Sequence, residues 1–144
     1  MRVIIDTNIF ISGLISKKGA PSKIINAVLQ GWLIPVISEI TLAELENVLL
    51  RSRLQTYFKR AAISPTEFIK TFKQLAEIME VSPQSLQIAD SKDQPFVNLA
   101  ATIPQPDFII TGDRDFTENS YFDVPVISAT MFVETVLNKL IDST

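Results

Sequence analysis

Short unbroken apolar runs alternate along this chain with longer segments in which apolar residues recur at helical spacing. Val3, Ile4 and Ile5 form the first run, a β-branched triplet that suits a strand buried on both faces, and Asp6 ends it with a charge. A short helix is predicted over Asn8 to Leu14, followed by an exposed loop over Ser16 to Ala20. Pro21 suits the first turn of a second helix, whose apolar face is Ile24, Ile25, Val28 and Leu29. Gly31 stops it ahead of a strand from Leu33 to Ile37. Ser38 is a plausible N-cap for Glu39 to Arg51, where Leu42, Leu45, Val48 and Leu49 share one side. A helical pair is expected over Arg53 to Met79. Ser64-Pro65-Thr66-Glu67 has the form of a capping box, and Phe68, Ile69, Phe72, Leu75, Ala76 and Met79 carry the apolar face. Val81 reads as a short strand or connection and Ser82 to Gln87 as a polar linker. The Ala89–Asp93 segment introduces a helix bearing Phe96, Val97, Leu99, Ala100 and Ala101. Phe108-Ile109-Ile110 and Val124 to Ile127 are further strands, and Met131 to Ile141 is a closing helix that includes Leu140 and Ile141 on its apolar side. Strands that alternate with helices predict an α/β architecture with a parallel sheet and right-handed crossovers.

Composition narrows the chemistry. With 144 residues, a single domain over 1–144 is expected. The chain has neither cysteine nor histidine, which removes disulfides, thiolate chemistry, Ser-His-Asp and Cys-His triads and the usual zinc sites. Its four glycines match neither a dinucleotide fingerprint nor a P-loop. A net charge of −3 provides no global basic field, so any polyanion must meet a local patch. No run of eighteen apolar residues occurs, so neither a signal peptide nor a membrane span is expected and a cytoplasmic location follows. At 47% hydrophobic residues, some apolar surface is expected to be covered by a partner.

Carboxylates are what remain, and they recur where chain leaves strand or enters helix. Asp6 follows the first strand; Glu44 and Glu46 flank the apolar stripe of one helix on opposite sides, and periodicity does not choose between them. Asp90 and Asp93 stand at a helix entrance. Thr111-Gly112-Asp113-Arg114-Asp115 repeats the opening geometry, a hydroxyl and a carboxylate delivered by a β-branched run. Each acid has a structural alternative: Asp6, Asp90 or Asp93 as an N-cap, the glutamates as solvated helix-edge charges. Gathered on one edge of a parallel sheet, however, they would repel one another, and a hard divalent cation such as Mg²⁺ or Mn²⁺ relieves that repulsion.

Val-Ile-Ile-Asp-Thr-Asn at 3–8, Ser-Glu-Ile-Thr-Leu-Ala-Glu-Leu at 38–45, Asp-Ser-Lys-Asp at 90–93 and Thr-Gly-Asp-Arg-Asp at 111–115 together resemble the PIN-domain ribonucleases. The resemblance is closest to the toxin components of bacterial and archaeal toxin–antitoxin modules, the VapC-like branch. It implies a three-layer α/β/α sandwich with a parallel sheet of about five strands. It also implies a metal-dependent endoribonuclease in which Asp6, Glu44, Asp93 and Asp113 form the catalytic and metal-binding set, with Asp115 as a possible fifth ligand and Mg²⁺ or Mn²⁺ as cofactor. Under it Glu44 is chosen over Glu46, and Thr7, Asn8 and Thr111 support the carboxylates or a water. An antitoxin protein and a homodimer are the implied partners, beside an RNA substrate. One departure is that Ala89-Asp90-Ser91-Lys92-Asp93 stands where relatives often read Arg-Asp-Pro-Lys-Asp.

Substrate grip is expected from Lys17, Lys18, Arg51, Arg53, Lys59 and Arg60, with Tyr57 and Phe58 interleaved for base stacking; a solvated helix face is the alternative. A catalytically silent module acting through protein or RNA association is the rival function. A phosphatase with an aspartate nucleophile would want a second Asp two residues after the first, where this chain has Asn8.

Overall fold

The computed structural model describes residues 1–81, 94–102, 104–112 and 120–143. Among these, six strands form one mostly parallel sheet in the order β3-β2-β1-β4-β6-β5. The strands are β1 (Arg2–Ile5), β2 (Ile34–Ile37), β3 (Glu77–Ile78), β4 (Phe108–Thr111), β5 (Ser120–Tyr121) and β6 (Val124–Ser128). Only β5 runs antiparallel, against β6. Helices α1 (Thr7–Ile15) and α2 (Ala20–Leu29) connect β1 to β2. Helices α3 (Glu39–Leu49), α4 (Ser52–Arg60) and α5 (Pro65–Leu75) lie between β2 and β3, and α6 (Gln94–Ala100) precedes β4. The chain ends in α7 (Ala129–Phe132), a π-helical segment over Val133–Leu137 and α8 (Asn138–Asp142).

The β-branched runs are buried on both sides, as a three-layer α/β/α sandwich requires. Val3, Ile5, Ile37 and Ile110 join Ile9, Phe10, Ile24, Leu45, Phe72 and Phe132 in one core. Ile4, Val36 and Ile109 point the other way, into a smaller core with Phe96, Val97 and Leu99 of α6 and with Tyr121 and Val124. In the larger core Phe10 meets Phe72 edge-on at 5.1 Å, and Phe108 meets Phe132 likewise at 5.6 Å. Gly13 sets the separation of α1 and α2: a Cβ there would stand 2.6 Å from Ile25 Cγ1 and 2.7 Å from the Pro21 carbonyl oxygen. At the amino end of the sheet, Arg2 clasps Glu77 through Nε and Nη2 at 2.9 and 3.0 Å and donates from Nη1 to the Pro104 carbonyl at 2.7 Å.

Two expectations are corrected. The second helix of the 53–79 pair stops at Leu75, not Met79: Ala76 turns extended (ψ 149°), and Glu77 and Ile78 pair with Val36 and Ile37, Met79 N donating to the Ile37 carbonyl at 2.8 Å. Pairing with an open edge of β2 outweighs continued helical periodicity. The expected parallel sheet of about five strands is present as β3, β2, β1, β4 and β6; among the described residues β5 adds a sixth, antiparallel strand through a hairpin whose two-residue turn, Phe122-Asp123, has φ of 49° and 67°. That is the primed-turn conformation usually occupied by Asn-Gly, so nothing in Phe-Asp advertised it. Ser64 accepts from Glu67 N at 3.3 Å, which is half of the expected capping box. On the closing helix, expected to present a buried or partner-facing side, Phe132, Val133 and Leu137 are buried and Ile141 is 39% exposed.

Gly13→Ala is expected to lower the unfolding free energy by about 1–3 kcal/mol through overpacking at the α1–α2 contact, read as a lower urea midpoint with an unchanged slope.

Candidate active site

From the middle of the sheet the chain steps outward through β2 and β3, then returns to the opposite side of β1 to lay down β4 and β6. The order therefore reverses between β1 and β4, and a crevice opens beyond their carboxyl ends. Ile5 pairs with Ile110, so the next residues, Asp6 and Thr111, emerge side by side; Asp6 N donates to the Ile110 carbonyl at 3.0 Å. Thr111 is paired on its other side with Ser128.

Asp6 is only 4% exposed and N-caps α1, its Oδ1 accepting from Asn8 N at 3.4 Å. The positive end of α1 favours the ionised form of this carboxylate. Thr111 is 5% exposed, and its Oγ1 has no hydrogen-bond partner among the described residues. A hydroxyl buried without a partner costs about 1–3 kcal/mol. Thr111 stands beside the buried Asp6 carboxylate at the switch point. An oxygen-only donor set of this kind fits Mg²⁺ or Mn²⁺.

Glu44 lies on α3, half-buried, and α3 packs against α1. The entry of α3 is held by a reciprocal cap: Ser38 N donates to Thr41 Oγ1 at 2.9 Å, and Thr41 N donates to Ser38 Oγ at 3.2 Å. Glu46 points to α5 and takes an ion pair from Lys73 at 2.8 Å, which engages it elsewhere; Glu44 makes no ion pair among the described residues. Asp90, Asp93, Asp113 and Asp115 lie outside the described residues. Among those described, no three acidic side chains gather closely enough to hold an ion.

Of the polar neighbours, Thr7 is buried and Asn8 exposed. Lys17 and Lys18 are exposed in the loop after α1, and Arg51, Arg53, Lys59 and Arg60 are exposed on or beside α4. No acid occurs between Glu46 and Glu67, so these cations stand in the most basic stretch of an acidic chain. The aromatics of this stretch divide: Tyr57 is half exposed, whereas Phe58 is 1% exposed and belongs to the core, so it is not available for stacking. Spacing of four and seven puts Arg53, Tyr57 and Arg60 on one face of α4.

A cleft of about 250 Å³ adjoins the crevice, lined by Asn8, Ile9, Ser12, Pro21, Gly112, Ala129 and Thr130. Sequence reading passed over Ser12 and Thr130. The i, i+4 relation of Ser12 to Asn8 was the signal available for the first; nothing local marked the second. A cleft of about 260 Å³ lies at the other side of the sheet, against Ser38, Glu39, Ile40, Met79, Glu80 and Val81.

A family model described as PIN domain matches residues 2–115. An uncharacterized protein of Methanocaldococcus jannaschii, MJ1680, is 28% identical over 128 residues, which cover 86% of this chain and 81% of that one. No solved structure gives a significant match.

Thr111→Val, which removes the buried hydroxyl and keeps its shape, is expected to leave stability in EDTA unchanged within about 0.5 kcal/mol or to raise it. Saturating Mn²⁺ should stabilise the wild type by about 2.7 kcal/mol at a hundred times its dissociation constant, and the variant by less, as read by thermal unfolding with and without the metal.

Proposed function

The chain belongs to the PIN-domain family, and from that premise we propose that it is a metal-dependent endoribonuclease that hydrolyses phosphodiester bonds of single-stranded RNA. PIN domains are generally nucleases and typically use divalent metals such as Mg²⁺. The observation that carries the proposal is the buried Asp6 carboxylate beside the Thr111 hydroxyl, which has no partner among the described residues, at the point where the sheet order reverses. Asp6, Glu44, Asp93 and Asp113, with Asp115 as a fifth candidate, are assigned to hold one or two Mg²⁺ or Mn²⁺ ions. When bound, such ions lower the pKa of a water and neutralise charge on the phosphoryl and leaving oxygens.

The chain's own residues supply position. Pairing of β1 with β4 fixes Asp6 and Thr111 relative to each other, so neither reorganises when substrate arrives. Thr7, Asn8 and Thr111 orient carboxylates or water. Because the chain has no histidine or cysteine, no imidazole base or thiolate nucleophile takes part. Lys17, Lys18, Arg51, Arg53, Lys59 and Arg60 are assigned to backbone phosphates, with Tyr57 able to stack a base.

On the same reading the protein is the toxin of a toxin–antitoxin pair, acting in the cytoplasm as a homodimer held by an antitoxin. Leu29, Ile40, Leu50 and Met131 are large and exposed and are candidates for contact with such a partner. No helix among the described residues is long and apolar enough to cross a membrane.

Purified protein with Mn²⁺ is expected to cleave single-stranded RNA and to stop on addition of EDTA, with Asp6→Asn and Asp113→Asn each reducing the rate at least about a hundredfold. Cleavage that survives EDTA, or that both variants leave intact, refutes the mechanism, and Mn²⁺ uptake without cleavage returns the silent binding module. Arg53→Gln and Arg60→Gln should each reduce the salt dependence of RNA binding by about 0.7 in the log–log slope, measured by anisotropy titrations at several salt concentrations.

A further inference from the structure

We propose that the cleft lined by Asn8, Ile9, Ser12, Pro21, Gly112, Ala129 and Thr130 is a nucleobase subsite, taking the base next to the phosphate under attack. The inference rests on the nuclease reading for its neighbour, and on the cleft's own chemistry for its occupant.

The first argument is position. Asn8 is two residues beyond Asp6, and Gly112 directly follows Thr111. Ala129 and Thr130 open the helix that leaves β6, the strand beyond β4. The cleft therefore borders the Asp6–Thr111 pair on the β4–β6 side, whereas α3, with Glu44, starts from β2 on the other side of β1. A polynucleotide crossing the switch point with a phosphate at the carboxylates would present its next nucleotide to this cleft.

The second argument is lining. The polar side chains among the described lining residues are neutral and two-sided: the Asn8 amide and the Ser12 and Thr130 hydroxyls can each donate and accept. None of these three side chains spends a hydrogen bond on another described residue. Ile9, Pro21 and Ala129 supply an apolar wall, and a flat heteroaromatic ring needs both kinds of surface, contact for its face and mixed donors and acceptors for its edge.

The third argument is size and stiffness. At about 250 Å³ the cleft is smaller than the roughly 300–1,000 Å³ clefts that enclose drug-sized ligands, which suits one base and not a folded element. Its walls are set by packing: Asn8 and Ser12 stand one turn apart on α1, and the Gly13 contact holds Pro21 of α2 against that helix. Gly112 contributes backbone alone, and a Cβ there would meet nothing within 4 Å.

The test is binding in EDTA, which separates recognition from hydrolysis. Four fluorescent twelve-nucleotide homopolymers of RNA are titrated against the wild type, Ser12→Phe, which fills the cleft, and Thr130→Val, which removes a hydroxyl and keeps its shape. The wild type is expected to rank the four bases. Ser12→Phe should weaken the preferred oligonucleotide by about tenfold or more and flatten the ranking, and Thr130→Val should change the ranking by about three- to tenfold. Equal affinity of the wild type for all four, or a ranking that neither variant moves, overturns the subsite. Should Ser12→Phe fail to fold by circular dichroism, Thr130→Val alone decides between these outcomes. Mn²⁺-dependent cleavage is scored separately on the wild type. Base-ranked, variant-sensitive binding without cleavage would refute the nuclease and leave the subsite standing; cleavage with an unmoved ranking would do the reverse.

Discussion

The pairing of β1 with β4 is the constraint on which the rest of this structure depends. Two β-branched runs, a hundred residues apart, lie side by side because each is apolar on both faces and neither face can be left in water. Once Ile5 is opposite Ile110, the next residues on each strand must emerge together. A one-residue slip would move Asp6 away from Thr111 and turn Ile4 from one core into the other. The register that buries the strands and the register that builds the site are therefore the same.

That arrangement buries two polar groups at the switch point. Asp6 is almost wholly buried and caps α1, and Thr111 keeps a hydroxyl dry without a partner among the described residues. A buried hydroxyl in that position carries a desolvation cost. Sites of this kind are tolerated where the surrounding packing over-determines them, and here two cores, one on each side of the sheet, do so. The close α1–α2 contact at Gly13 extends this rigidity to the wall of the neighbouring cleft.

Charge is distributed to match. The chain is acidic overall, yet the twenty residues between Glu46 and Glu67 hold four cations and no acid, on an exposed helix that packs beside α1. Glu46, at the border of this stretch, is neutralised by Lys73, whereas Glu44 has no such ion pair among the described residues.

By itself the sequence determined most of the element order. Unbroken apolar triplets at 3–5 and 108–110 announced two-faced burial, helical periodicity placed α2, α3 and α5, and the absence of histidine and cysteine narrowed the candidate chemistry mainly to carboxylates. What local pattern could not carry was any choice that depends on a distant neighbour. Glu44 and Glu46 are symmetric about their own helix until Lys73 arrives from α5. Glu77 and Ile78 continue a helical rhythm until the edge of β2 claims them as strand. Tyr57 and Phe58 are alike in sequence, but packing takes only Phe58 into the core. Thr130 means nothing until β6 brings its helix next to α1. Periodicity reports which face of an element is apolar; which partner meets that face, and what is left over at its rim, is fixed only when the elements pack.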